Sequence, residues 1–148
     1  MGRVAVAARQ LRPNAAALVR GCKDSELRRL KDTRPEFYHE LAQRAADVAN
    51  RVLSGSWPLL GRNVDLSGSV DWHRDPVAAH TWPRVFYEDL ELYEVSNDVD
   101  VKYVWELNRH QFLAELARAW LLTREERYAD RVRELIINWI DENPPYEG

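Results

Sequence analysis

The chain has 148 residues, 45% of them hydrophobic and 30% charged, and a formal net charge of -3. That is one domain's worth of sequence with enough apolar content for a core, and its mixed charge supplies no basic field for a phosphate backbone, so nucleic acid is not an expected partner. The single cysteine, Cys22, cannot form an internal disulfide or a thiol cluster for a metal and is expected to pack as a small apolar residue.

At the start, Arg3 and Arg9 flank an apolar run at 4–8 that is shorter than a signal-peptide core. No segment reaches the roughly 20 apolar residues of a membrane span. The chain as written is therefore expected to carry no export signal and to have no membrane partner. Residues 1–34 contain Pro13, Gly21 and an apolar cluster at 15–19, and they predict at most short helices. From Pro35 the pattern sharpens. Phe37, Leu41, Ala45, Val48 and Val52 recur at helical spacing, Pro35 suits a first helical turn, and Gly55 follows the end, which predicts an amphipathic helix.

Residues 54–103 carry no such stripe, and Gly55, Pro58, Gly61, Gly68, Pro76 and Pro83 interrupt them repeatedly. Loops with short strands are expected. Trp57, Trp72, Trp82, Phe86, Tyr87, Tyr93 and Tyr103 are too many rings for a solvated linker, so the segment should be ordered. The last third predicts two helices, 105–122 and 124–142, joined by almost nothing and so folded back as an antiparallel hairpin. Thr123 is placed to cap the second helix with Glu126 in the reciprocal position, and Tyr128, Val132, Leu135, Ile136 and Trp139 form its apolar stripe. Asn143-Pro144-Pro145 then stops it.

On a wheel at about 100° per residue, Trp105, Phe112, Leu113, Leu116, Trp120 and Leu121 share one broad apolar arc of the first helix. Arg109 falls inside that arc, with Glu106 and His110 on its flank. Two readings follow. Either these three form a buried ion network tying the long loop to the helix, or they mark a helix end opening on a cleft for an acidic ligand. Asn108 and Gln111 lie on the opposite side, where ordinary solvent-facing amides are expected. A second cluster, Asp71-Trp72-His73-Arg74-Asp75-Pro76 followed by His80 and Trp82-Pro83, combines rings that stack on pyranose faces with cations that take carboxylates or sulfates. Its histidines and aspartates match no standard metal spacing, so no metal and no cofactor is expected. The chain has neither a Gly-x-Ser-x-Gly elbow nor a phosphate loop, while a carboxylate pair among Asp71, Asp75 and Glu106 stays open.

In order along the chain, Asp71-Trp72-His73-Arg74-Asp75-Pro76, Trp82-Pro83, Asp100-Val101-Lys102-Tyr103-Val104-Trp105-Glu106-Leu107-Asn108-Arg109-His110-Gln111, Leu122-Thr123, Trp139 and Asn143-Pro144 resemble the amino-terminal domain of heparinase II/III-like polysaccharide lyases. The resemblance implies a mainly α fold, a partial (α/α) toroid of antiparallel helical hairpins, with 54–103 as a long aromatic-rich loop and a β-sheet domain further along the polypeptide. It also implies cleavage of uronic-acid polysaccharides by β-elimination. In such lyases an asparagine or histidine neutralises the uronate carboxylate, and tyrosine and histidine move protons. Those residues belong to later parts of the enzyme, so this chain is expected to be an incomplete fragment without catalytic residues of its own.

What the resemblance carries over is a share of the cleft wall. The substrate-binding residues it implies are Trp72, His73, Arg74, Trp105, Asn108, Arg109, His110 and Gln111, with an acidic polysaccharide and the missing C-terminal portion as partners. Relatives that degrade external polysaccharides imply a periplasmic location, and a cytoplasmic one is the alternative for a chain without a signal peptide. The competing functional class is a non-catalytic helical module that binds glycans or serves as scaffold.

Overall fold

The computed structural model describes residues 24–89 and 99–145. The expectations for the run at 4–8, the cluster at 15–19 and Cys22 lie outside the described residues. The described residues form five α-helices and one short hairpin, besides a 3-10 turn: α1 Asp24–Thr33, α2 Pro35–Leu53, β1 Trp57–Leu59, β2 Arg62–Val64, α3 Val101–Leu107, α4 Gln111–Thr123 and α5 Glu126–Glu142. The fold is mainly α, and none of these helices is long and apolar enough to cross a membrane.

Pro35 separates α1 from α2. A residue before proline is driven out of the helical region, and Arg34 accordingly leaves it (φ -142°, ψ 63°), so the chain restarts with proline in the first turn. The buried side of α2 is Ala45, Ala49 and Val52. Phe37, expected on that side, is exposed instead, with the Arg34 guanidinium 5.8 Å from its ring centroid. Small residues along α2 let α4 approach closely, and α4 packs more extensively on α2 than on any other element. Ala119 and Leu116 of α4 are fully buried beside Ala49 and Val52 in the same core. Tyr38 Oη donates to the Leu122 carbonyl (2.8 Å) and Tyr128 Oη donates to Asn50 Oδ1 (3.0 Å), tying α2 to the far end of α4 and to α5.

Gly55 ends α2 at φ +81°. A Cβ there would meet Asp65 Oδ1 at 2.2 Å, so both the backbone conformation and the approach of the following segment require glycine. The hairpin after it pairs Trp57 with Val64 and Leu59 with Arg62 around Leu60 and Gly61, both at positive φ, as a tight antiparallel hairpin demands. Its inward residues Leu59 and Val64, with Leu66, Val70 and Trp72, complete the core beneath the helices. Arg131 of α5 is buried and pins this run, donating through Nη2 to the carbonyls of Leu66 and Gly68, the latter at 2.7 Å.

The link between α4 and α5 is Arg124 and Glu125, with Arg124 left-handed (φ 62°). A connection this short folds the helices against each other. The expected reciprocal cap is not formed. Thr123 Oγ1 donates back to Ala119 O (2.8 Å), the cap position falls on Glu125, and Glu126 Oε1 accepts instead from Trp120 Nε1 (3.3 Å). The two-residue link shifts the helix start beyond the reach that a capping box needs.

Between the hairpin and α3, Arg74 and Thr81 form an isolated antiparallel bridge, and a short 3-10 turn spans Tyr87–Asp89. Asp75 organises this region. It is fully buried; Oδ1 accepts from Val77 N (2.7 Å) and Ala78 N (3.0 Å), and Oδ2 accepts from Asp100 N (3.0 Å), so the loop is fastened to the start of α3. Asp75→Ala is expected to cost on the order of 3 kcal/mol, because three backbone N–H groups lose a charged acceptor. Urea denaturation of the two proteins checks this; an unchanged midpoint would contradict the fastening role.

Candidate functional site

The helix expected over 105–122 is two helices. α3 stops at Leu107, and α4 begins at Gln111 after His110 takes a left-handed conformation (φ 55°). No glycine or proline lies at the break. Its cause is Asn108, whose Nδ2 donates to Val104 O (2.8 Å) and to Trp72 O (2.9 Å). A side chain that bonds the carbonyl four residues back competes with the helical ladder and favours a helix end. The next two amides tighten accordingly, with Arg109 N to Glu106 O and His110 N to Leu107 O both at 3.2 Å.

The amide oxygen of Asn108 is occupied as well, accepting from Trp139 Nε1 at 2.7 Å. The neighbour of Trp139, Asn138, accepts from Trp72 Nε1 at 2.8 Å. The loop at Trp72, the α3–α4 junction and the last turns of α5 are thus joined by a reciprocal clasp of two asparagines and two tryptophans. His73 adds a further tie through Nε2 and the Glu142 carbonyl (3.2 Å). Asn108 is therefore not the solvent-facing amide the wheel suggested, and both indole N–H groups of the clasp are satisfied inside it.

Breaking the helix changes the fate of the predicted polar wedge. Arg109 is turned outward, its side chain 67% exposed, and Nη1 lies 3.2 Å from Glu106 Oε2. Glu106 Oε1 also accepts from Gln111 Nε2 (3.0 Å). This is a surface pair, not a buried network, and His110 has no part in it. The wheel failed because it assumed one continuous helix through residues 108–110.

His110 instead enters an aromatic cage. Its ring centroid lies 5.3 Å from Trp72, 6.0 Å from Phe112 and 5.1 Å from Trp139, each close to perpendicular. Edge-to-face packing of this kind suits a neutral imidazole. Nε2 is buried without a hydrogen-bond partner, and no carboxylate pairs with the ring among the described residues. Burial holds its pKa below the ordinary histidine value.

Two residues of the 71–76 cluster are likewise structural. Trp72 is 1% exposed and His73 5%, so neither presents a face to a sugar in this chain. Arg74 is exposed on the same loop. Of the carboxylates considered for acid-base work, Asp75 has both oxygens committed to backbone donors, and Asp71 accepts from His73 N (3.1 Å). Among the described residues no three His, Cys, Asp or Glu side chains gather as a metal site.

The outer side of 102–111 stays accessible. Trp105 is 55% exposed, the largest open ring surface among the exposed apolar side chains, and it lies between exposed Lys102 and Arg109, with exposed Gln111 following. On the inner side, a groove of about 490 Å³ runs between α4 and α5, floored by His110 and Trp139 and walled by Leu113, Ala117, Ile136 and Ile140.

The junction between α3 and α4 is thus locked to α5 by a polar clasp, and the same stretch of chain exposes an indole and two cations on its outer surface. The chain belongs to the heparinase II/III amino-terminal family, whose model matches residues 23–148 and so identifies it as the amino-terminal part of a polysaccharide lyase. No curated protein and no solved structure matches the sequence.

Of the residues named from sequence, the structure brings Trp105, Arg109 and Gln111 onto one outer surface and withdraws Trp72, His73 and Asn108 into the clasp. Asn138 and Arg131 were missed. Their sequence signal is slight, since an asparagine and an arginine on a helix read as surface residues unless their long-range carbonyl and indole partners are known.

Two outcomes follow from this arrangement. Asn108→Ala should cost about 2–4 kcal/mol by stranding the Trp139 N–H and the Trp72 carbonyl, whereas Arg109→Ala should cost less than about 0.5 kcal/mol as an exposed pair. Denaturant midpoints that rank the two the other way round would contradict the clasp. Because the folded-state pKa of His110 is depressed, its contribution to stability is complete above the ordinary histidine range and falls as pH drops below about 6.5. Denaturation followed from pH 8 to pH 5 should show that loss in the parent and a smaller one in His110→Phe; identical profiles would remove His110 from the account.

Proposed function

We propose that this domain forms part of the binding wall of a lyase that cleaves uronate-containing polysaccharides by β-elimination, and that it belongs to a partial toroid of helical hairpins continued by the rest of the enzyme. The observation that carries the reading is Trp105, held half open between Lys102 and Arg109 on a segment whose inner side is fixed by the Asn108 clasp. An open indole takes the apolar face of a pyranose, and a guanidinium takes a carboxylate through two parallel N–H donors. Glu106 orients Arg109 while Gln111 bonds its other oxygen, leaving the guanidinium outward.

β-Elimination needs the uronate carboxylate neutralised, the C5 proton removed by a base, the C4–oxygen bond broken as the double bond forms, and the departing oxygen protonated. Arg109 fits an early role, holding carboxylates along the chain. The proton-moving groups are assigned to the remainder of the enzyme. His110 is poorly suited to that work, because its Nε2 is enclosed by rings, and Asp75 is poorly suited because its oxygens are already occupied.

The test has two parts. The isolated 148-residue chain should bind a fluorescent polyuronate oligomer yet generate no unsaturated uronide absorbance from it. Trp105→Ala should weaken binding about tenfold, the equivalent of roughly 1.4 kcal/mol, at an unchanged melting temperature. Turnover by the chain alone would refute the division of labour, and an unaltered affinity in the variant would refute the platform.

A further inference from the structure

The opposite end of α4 carries a second cluster that the platform does not use. A cavity of about 270 Å³ opens there, lined by Asp24, Leu27, Arg28, Lys31, Tyr38 and Arg124. Leu27 is buried beneath it, and Tyr38 is fixed through its hydroxyl to the Leu122 carbonyl, so the floor is built from ordered side chains. Arg124 is delivered by the left-handed turn after α4 and lies with its guanidinium carbon 5.0 Å from the Trp120 ring centroid.

The lining holds three cations and one carboxylate. Asp24 serves both Arg124 and Arg28, the latter at 3.7 Å. Lys31 has no carboxylate within ion-pair distance among the described residues and sits 5.8 Å from the Tyr38 ring centroid. The Arg28 side chain is 80% exposed and therefore free to meet a ligand. On a chain whose net charge is -3, this is a local positive surplus against the prevailing sign, arranged around a concave surface.

We infer that this cavity is a second anchoring site for an acidic polysaccharide, taking a sulfate or carboxylate group of the chain between Arg28, Lys31 and Arg124. It borrows its ligand class from the function proposed above. The thirteen residues of α4 separate it from the Trp105 platform by about 20 Å, so one extended glycan can engage both ends of the helix.

The experiment uses the whole chain and two labelled hexasaccharides, an unsulfated polyuronate and a sulfated heparin-type oligomer. Arg28→Ala/Lys31→Ala should weaken binding about tenfold in low salt at an unchanged melting temperature, and the charge-keeping Arg28→Lys/Lys31→Arg should bind nearly as the parent does. A loss confined to the sulfated probe identifies a sulfate ester as the group held; a loss with both identifies any oxyanion on the chain. If the alanine pair leaves both affinities unchanged while Trp105→Ala lowers them, the second site is overturned and the platform stands. If neither oligomer binds the parent, both readings fall.

Discussion

Asn108 makes three hydrogen bonds with one amide group, and the architecture around it depends on all three. Its Nδ2 bonds the Val104 carbonyl, ending α3 at Leu107, and also holds the Trp72 carbonyl; its Oδ1 holds the Trp139 indole. Asn138 closes the circuit through the Trp72 indole. The partners lie in three separate stretches of chain, so the loop, the helix junction and the last turns of α5 cannot shift independently. In a small helical domain, a satisfied buried polar network of this kind supplies the uniqueness that apolar contacts alone do not specify.

The same circuit explains which parts of the molecule were legible in its sequence. α2 and α5 follow from periodicity, and the buried Tyr128, Val132 and Leu135 lie on the predicted stripe. Glycine and proline account for the irregular path of the described residues 65–86, whereas Val101 to Tyr103, expected in the loop, already belong to α3, and a left-handed leucine at the hairpin turn has no sequence signature of its own. The break at Asn108 was hidden, because the side chain that competes for the Val104 carbonyl is held in place by bonds to residues 36 and 31 positions away. A helical wheel contains no such information. It therefore placed Arg109 inside, where the continuous helix would have put it, and the ion network built on that placement dissolved with the helix.

That correction also separates two properties that a motif runs together. The block from Asp100 to Gln111 is the longest of the motifs that resemble the family, and its residues divide into those that hold the junction and those that face outward. Asp100, Asn108 and His110 serve the architecture through the N-cap bond accepted from Lys102 N, the clasp and the aromatic cage. Trp105, Arg109 and Gln111 face outward. Similarity across such a block accordingly transmits fold at some positions and ligand chemistry at others, and only burial tells them apart.

The consequence for Trp105 is entropic. Its helix has only seven residues, too few to be stable by itself, yet it is clamped at one end by the Asp100 cap and at the other by Asn108. An indole mounted on so short a segment would ordinarily spend much of its contact energy on ordering its own backbone. Here that ordering was completed during folding, and association at the ring leaves only a few side-chain torsions to immobilise.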